Sequence, residues 1–146
     1  MLGGLARWLR VYGYDATWTY GIDDWDLIRH ARAENRFLLS CDTRMFEIGV
    51  LRDGELPGLL LPVGLKKLAQ FRYVIGALKL PQLPTRCMAC GGELHAVAKE
   101  SVRARIPPRT AVWLDDYFEC RRCQKLLWKG THWRRIAETL ATAGVR

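Results

Sequence analysis

Four cysteines carry the clearest chemistry in this sequence. Cys87-Met-Ala-Cys90 and Cys120-Arg-Arg-Cys123 form two CxxC pairs. A CxxC turn brings two sulfurs within reach of one ion, and two such turns supply four thiolates. That is the ligand set of a closed zinc site, with no coordination position left open for a reaction, so the expected zinc is structural. Gly91 and Gly92 follow the first pair, where amides turning toward sulfur need room. The pairs are 29 residues apart, more than the roughly 15–20 of compact fingers, so the insert has to carry strands of its own. Redox dithiols and unrelated thiols are the competing readings. The fifth cysteine, Cys41, reads as a small buried residue beside a strand end.

Carboxylates form the second group. Asp42 directly follows the apolar run Phe37–Ser40, and Asp23 and Asp24 come shortly after Ala16–Tyr20. If both runs are strands of one sheet, the three acids gather at the edge outside the strands' carboxyl ends. Clustered carboxylates suit Mg²⁺ or Mn²⁺, which can activate water against a phosphodiester. An aspartate ahead of a helix is also a good N-cap, and spacing alone does not separate the two roles.

Cations interleaved with aromatics form the third. Arg103, Arg105, Arg122, Lys129, His132 and Trp133 stand among Trp113, Tyr117 and Trp128. Cations track phosphates and aromatic faces stack unpaired bases, so one reading is a platform for single-stranded RNA. The other is that Trp128 and Trp133 cover a small core. The chain carries a net charge of +8, of which residues 86–146 hold +6. A filled four-thiolate zinc site contributes about −2, so a basic surface survives.

Positioning these groups requires two kinds of architecture. Helical spacing in Leu2, Leu5, Ala6 and Leu9 predicts a first helix, stopped at Gly13. A strand is expected at Ala16–Tyr20, then a helix after Asp23-Asp24, a buried strand at Phe37–Ser40 and a helix at Thr43–Leu51. A strand at Leu59–Val63 and a long helix from Leu65 to Leu78, with Gly76 as the candidate point for a bend or break, complete the first half. Strands separated by helices imply crossovers and a mainly parallel sheet. After the stiff connector Pro81–Pro84 the pattern changes to short strands at Leu94–Ala98, Ala111–Leu114, Tyr117–Glu119 and Leu126–Trp128. A helical turn at Ser101–Ile106 should end at Pro107-Pro108, and Thr131 should cap a last helix that ends before Gly144.

With 146 residues, 49% of them hydrophobic, wholesale disorder is excluded. The longest uncharged stretch, Leu56–Leu65, is far short of the roughly 20 residues that span a membrane. No secretory signal is apparent, and an odd cysteine count speaks against a secreted disulfide framework, so a soluble cytoplasmic protein is expected.

The run Met1-Leu-Gly-Gly-Leu-Ala-Arg-Trp-Leu-Arg10 with Gly13-Tyr14-Asp15 resembles the opening of the PIN-like RNase domain named for the C-terminal region of the Mut-seven exonuclease. The resemblance continues through Asp23-Asp24, Phe37-Leu-Leu-Ser-Cys-Asp42, Arg86-Cys-Met-Ala-Cys-Gly91, Pro107-Pro108, Phe118-Glu-Cys-Arg-Arg-Cys123 and Trp128-Lys-Gly-Thr-His-Trp133. It implies an α/β PIN-like domain over residues 1–84 followed by a β-rich zinc ribbon over 85–146. It also implies Mg²⁺- or Mn²⁺-dependent endoribonuclease activity, with Asp24 (or Asp23) and Asp42 at the acidic positions. Members of that family carry a first strand ending in an aspartate ahead of the Met-Leu-Gly segment. The helix-first order here agrees with its being missing, so the natural start is expected upstream, and catalysis depends on that strand. The alternative is a non-catalytic, RNA- or ribosome-associated zinc-ribbon module. A thiol redox protein is the third reading.

Overall fold

The computed structural model describes residues 2–142. By packing, these fall into two compact units: residues up to Leu5 with Trp18–Leu80, and Ala6–Thr17 with Pro81 onward. The chain is a mixed α/β protein with a small parallel sheet, a separate antiparallel sheet and a four-cysteine cluster.

Helix α1 (Gly3–Tyr12) contributes its first residues to one unit and the remainder to the other. Its buried residues are Leu5, Ala6, Leu9, Val11 and Tyr12, joined by Arg10. Gly13 ends it with φ +111°, and a Cβ there would meet Leu83 at 2.5 Å.

In the first unit, α2 (Asp24–Ala33) leads to β1 (Leu38–Ser40). A 3₁₀ turn at Met45–Glu47 and the short α3 (Gly49–Arg52) then cross over to β2 (Gly58–Leu60). The two strands pair in parallel, Leu38 opposite Gly58 and Ser40 opposite Leu60. Ile28 and Ala31 of α2, one helical turn apart, bury against Leu38, Met45, Leu51 and Leu56. Helix α4 (Lys67–Ala77) follows and passes through Gly76 unbroken.

The expected strand at Ala16–Tyr20 does not form. Its alternating aromatics are exposed, Trp18 43% and Tyr20 74%, and their rings meet edge-on at 6.2 Å. Among the described residues no strand pairs there, and a period of two without burial does not make a strand. The helix expected at Thr43–Leu51 is split, because Ile48 is extended (ψ 132°) between the 3₁₀ turn and α3.

In the second unit β3 (Leu94–Val97), β4 (Tyr117–Cys120) and β5 (Leu126–Trp128) form an antiparallel sheet in chain order. Between β3 and β4 lie α5 (Lys99–Val102), a 3₁₀ turn at Arg103–Arg105 and α6 (Pro108–Trp113). Val102, Ile106 and Tyr117 form the core, with Ala111, Leu114 and Trp128 packed on it. The strand expected at Ala111–Leu114 is therefore largely helix α6. Pro108 stands at a helix start, where its fixed φ and missing N–H are favourable. Ala111 and Leu114, three residues apart, face the core, while Val112 is 86% exposed. Helix α7 (Thr131–Thr142) closes the described chain. Gly144, expected to end it, lies outside the described residues, as does Met1.

Candidate metal centre

The two CxxC turns come together. The ligand atoms of Cys87, Cys90, Cys120 and Cys123 all lie within 4.8 Å of one another. The Sγ atoms of Cys87 and Cys123 are 3.7 Å apart and those of Cys90 and Cys120 are 3.4 Å apart, with no disulfide between them. A tetrahedral ion with sulfurs at about 2.3 Å sets its ligands about 3.8 Å apart. The spacing therefore fits zinc.

Cys87 ends the connector from Pro81 and Cys120 ends β4, so one turn hangs on a loop and the other on the sheet. Amides point at the sulfurs: Gly92 N–H donates to Cys90 Sγ (3.4 Å), and the Arg122 and Cys123 N–H groups donate to Cys120 Sγ (3.3 and 3.4 Å). Gly92 has to be glycine, because a Cβ there would stand 2.6 Å from Cys120 Sγ and 2.8 Å from Arg122 Cβ. Gly91 adopts φ +83°, and its Cβ would meet Asp15 Oδ1 at 2.8 Å.

The thiols are held unequally. Burial pushes Cys90 up to about 12 and raises Cys87 as well. For Cys120, burial also acts upward, but the amides of Cys123 and Arg122 and the neighbouring thiols outweigh it and bring the group down to about 7.

Three arginines cap the first turn from its carbonyl side. Arg10 Nη1 donates to Met88 O (2.9 Å) and Ala89 O (3.3 Å), Arg122 Nη1 to Cys90 O (3.0 Å) and Arg86 Nε to Gly91 O (2.6 Å). Four consecutive carbonyls are thus turned to cations while the amides face sulfur, which orients the turn toward a site of about −2 charge when zinc is bound. Arg10 also donates through Nε to Ala16 O (2.7 Å), and Asp15 accepts from both terminal nitrogens of Arg122 (3.2 Å each). Arg10 is 9% exposed. Burial lowers its pKa, against the raising effect of Cys90, Cys87 and Asp15. Arg10 and Asp15 were not identified as site residues from the sequence. The available signal was a cation placed among the buried residues of an apolar helix.

The acids are placed differently. Asp23 is the N-cap of α2 and accepts from the N–H groups of Trp25 (2.8 Å) and Asp26 (3.2 Å). Asp24 is the first residue of α2 and is exposed. Asp42 follows β1, is exposed, and accepts from Arg44 N–H (2.9 Å), while its own N–H donates to Ser40 Oγ (3.0 Å). Among the described residues the four cysteines are the only group of three or more such side chains within ligand distance, so Asp23, Asp24 and Asp42 do not form one. Cys41 is half-buried rather than buried.

The cations of the second unit divide. Arg105 is engaged by Glu119 and by Gln124 O (2.7 Å), and Arg122 by Asp15. Arg103 is exposed and 3.6 Å from Glu100. The Lys129 ammonium lies 5.4 Å from the Trp133 ring and 5.6 Å from the Phe118 ring. His132 and Trp133 stand in the first turn of α7.

Residues 1–140 match the Mut7-C RNAse domain, and the chain belongs to that family. Comparison with curated proteins finds no match, and comparison with solved structures finds none. No helix among the described residues is long and apolar enough to cross a membrane.

Proposed function

We propose that this protein is a metal-dependent ribonuclease in which a PIN-like part, residues 1–84, carries the acids and a zinc ribbon, residues 85–146, helps hold single-stranded RNA in the cytoplasm. Ala6–Thr17 pack with the ribbon in this arrangement. The observation that carries the reading is the family match over residues 1–140, with Asp42 standing at the carboxyl end of β1.

Each group has a distinct role. Cys87, Cys90, Cys120 and Cys123 hold a zinc that fastens β4 to the Cys87–Cys90 turn and takes no part in the reaction. Asp42 and Asp24 are the acids offered for catalysis. Asp23 is the lesser candidate, because its carboxylate already caps α2. Mg²⁺ or Mn²⁺ is the ion that carboxylate oxygens favour, and when bound it supplies activated water and charge stabilisation at a phosphodiester. Asp42 is held toward the strand end by its turn bond to Arg44 N–H.

The lack of a three-acid group among the described residues favours a second reading, a non-catalytic RNA-binding module. The discriminating experiment is cleavage of a labelled single-stranded RNA with Mn²⁺, run beside a binding titration. Cleavage that disappears in Asp42→Asn while binding persists supports the nuclease. Binding without cleavage, both in this chain and in a version extended upstream to restore the expected first strand, overturns it in favour of the binding module.

A further inference from the structure

The second unit contains a cavity of about 280 Å³ whose walls are chiefly aromatic. Trp113, Trp128, Trp133 and His132 line it, with the hydroxyl residues Thr110 and Thr131. We propose that this cavity receives one unpaired base of a single-stranded RNA. The proposal rests on the RNA-binding reading above and assigns the place where a base, as opposed to the phosphate backbone, is held.

Four observations point to a base. First, the walls are anchored. Trp128 sits on β5 with its ring edge-on to buried Tyr117 at 6.1 Å, and Trp133 carries the Lys129 ammonium 5.4 Å from its ring centre. Second, covering the core does not account for all three indoles, because Trp113 is 55% exposed. Third, a packed tryptophan usually finds a partner for its N–H. Among the described residues the side chains of these three tryptophans, His132, Thr110 and Thr131 make no hydrogen bond, so donors and acceptors are available for a heterocycle's polar edge. Fourth, the volume lies just below the roughly 300–1,000 Å³ of sites for drug-sized ligands, which suits one planar ring system.

The surroundings supply the charge that a strand requires. Arg109 at the start of α6 and Arg134 and Arg135 in α7 are exposed and form no ion pair among the described residues. Base stacking beside uncommitted cations that follow the backbone is how single strands are held without a sequence code.

The test uses the full, zinc-loaded chain, a short labelled oligouridylate, and a ribose-phosphate oligomer of equal length without bases. Binding is read by fluorescence anisotropy. Loss of the bases should weaken binding by about five- to a hundredfold, the range found for removing a stacking partner. Trp133→Ala removes one wall. Gly130→Ala narrows the cavity without a clash, since its methyl would sit 3.4 Å from Trp128 and 3.8 Å from Trp113. Each variant should weaken the oligouridylate by a similar factor and leave the abasic oligomer unchanged. Zinc content and circular dichroism equal to the unaltered chain qualify each variant. If Trp133→Ala fails that check, Gly130→Ala and the abasic comparison still decide. Equal affinity for both oligomers, or equal weakening of both by the variants, overturns the base site and leaves RNA binding standing. No binding of either oligomer overturns the RNA reading as well.

Discussion

Replacing Arg10 by methionine tests whether this side chain holds the first cysteine turn. The guanidinium makes three bonds to carbonyls, at 2.7 Å to Ala16, 2.9 Å to Met88 and 3.3 Å to Ala89. The last shares a nitrogen with the second and adds little. Two effective bonds from a charged donor contribute at most about 3–6 kcal/mol. The burial that lowers the Arg10 pKa works against the cation, and a methionine keeps much of the apolar stem in place. A net loss of about 2–4 kcal/mol follows, because the three carbonyls are left without their donor. At about 2–4 °C per kcal/mol, the zinc-loaded protein should unfold roughly 5–15 °C earlier. Zinc affinity, measured by chelator competition, should fall about 10- to 100-fold, as for other groups that orient metal ligands. Arg10→Lys keeps the charge without the planar fork and should recover only part of both effects. A melting temperature within about 2 °C and a zinc affinity within about threefold of the unaltered chain would refute the assigned role.

Three other outcomes are expected. Gly92→Ala forces a methyl to 2.6 Å from Cys120 Sγ and should lower the zinc-to-protein ratio, with a stability loss of about 1–3 kcal/mol in denaturant titration. Zinc affinity should rise with pH, because with Cys90 at about 12 and Cys87 raised, binding at neutral pH displaces protons from both. Below the Cys120 value of about 7 a further proton has to leave, so log K against pH should steepen there, and a slope of zero would sink the thiolate assignment. Asp23→Ala should destabilise the first unit by about 1 kcal/mol through loss of the α2 cap, whereas Asp23→Asn, which can still cap, should stay within a few tenths in urea titration.

What the sequence disclosed depended on how local the information was. Each CxxC pair is a local pattern whose only efficient use is convergence on one ion, and the four sulfurs do converge. Tyr117–Glu119 and Leu126–Trp128 are legible as strands because short strand-like runs bound the second cysteine pair, and the first extends by one residue to Cys120. The strand expected at Ala111–Leu114 fails because four consecutive apolar residues fit either period, and only Pro108 at the helix start and the burial of the i, i+3 pair decide between them. Arg10 could not be placed, since its acceptor Met88 lies 78 residues away and no spacing rule spans that distance. Asp23 was ambiguous for a different reason: the same residue type at the same position serves a helix cap and an ion, and the geometry shows the cap.

The positive charge of residues 86–146 was the sequence argument for an anionic partner, and the fold divides that charge. Arg86 and Arg122 turn inward onto the carbonyls of Gly91 and Cys90, and Arg105 is held by Glu119. Arg86 and Arg122 fix a turn beside the thiolate cluster and Arg105 is paired with a carboxylate, so counting them toward phosphate binding would count the same charge twice. Arg109, Lys129, Arg134 and Arg135 make no ion pair among the described residues, and Lys129 lies over the Trp133 ring. All four are exposed, and Lys129 and Trp133 flank Gly130, Thr131 and His132 of the aromatic cavity. Coulomb attraction to a polyanion is weakened by salt, whereas stacking in a cavity is not. On the proposed RNA-binding reading, a salt titration of oligouridylate affinity should therefore show two separable components, a salt-sensitive one from these cations and a salt-tolerant one from the indoles.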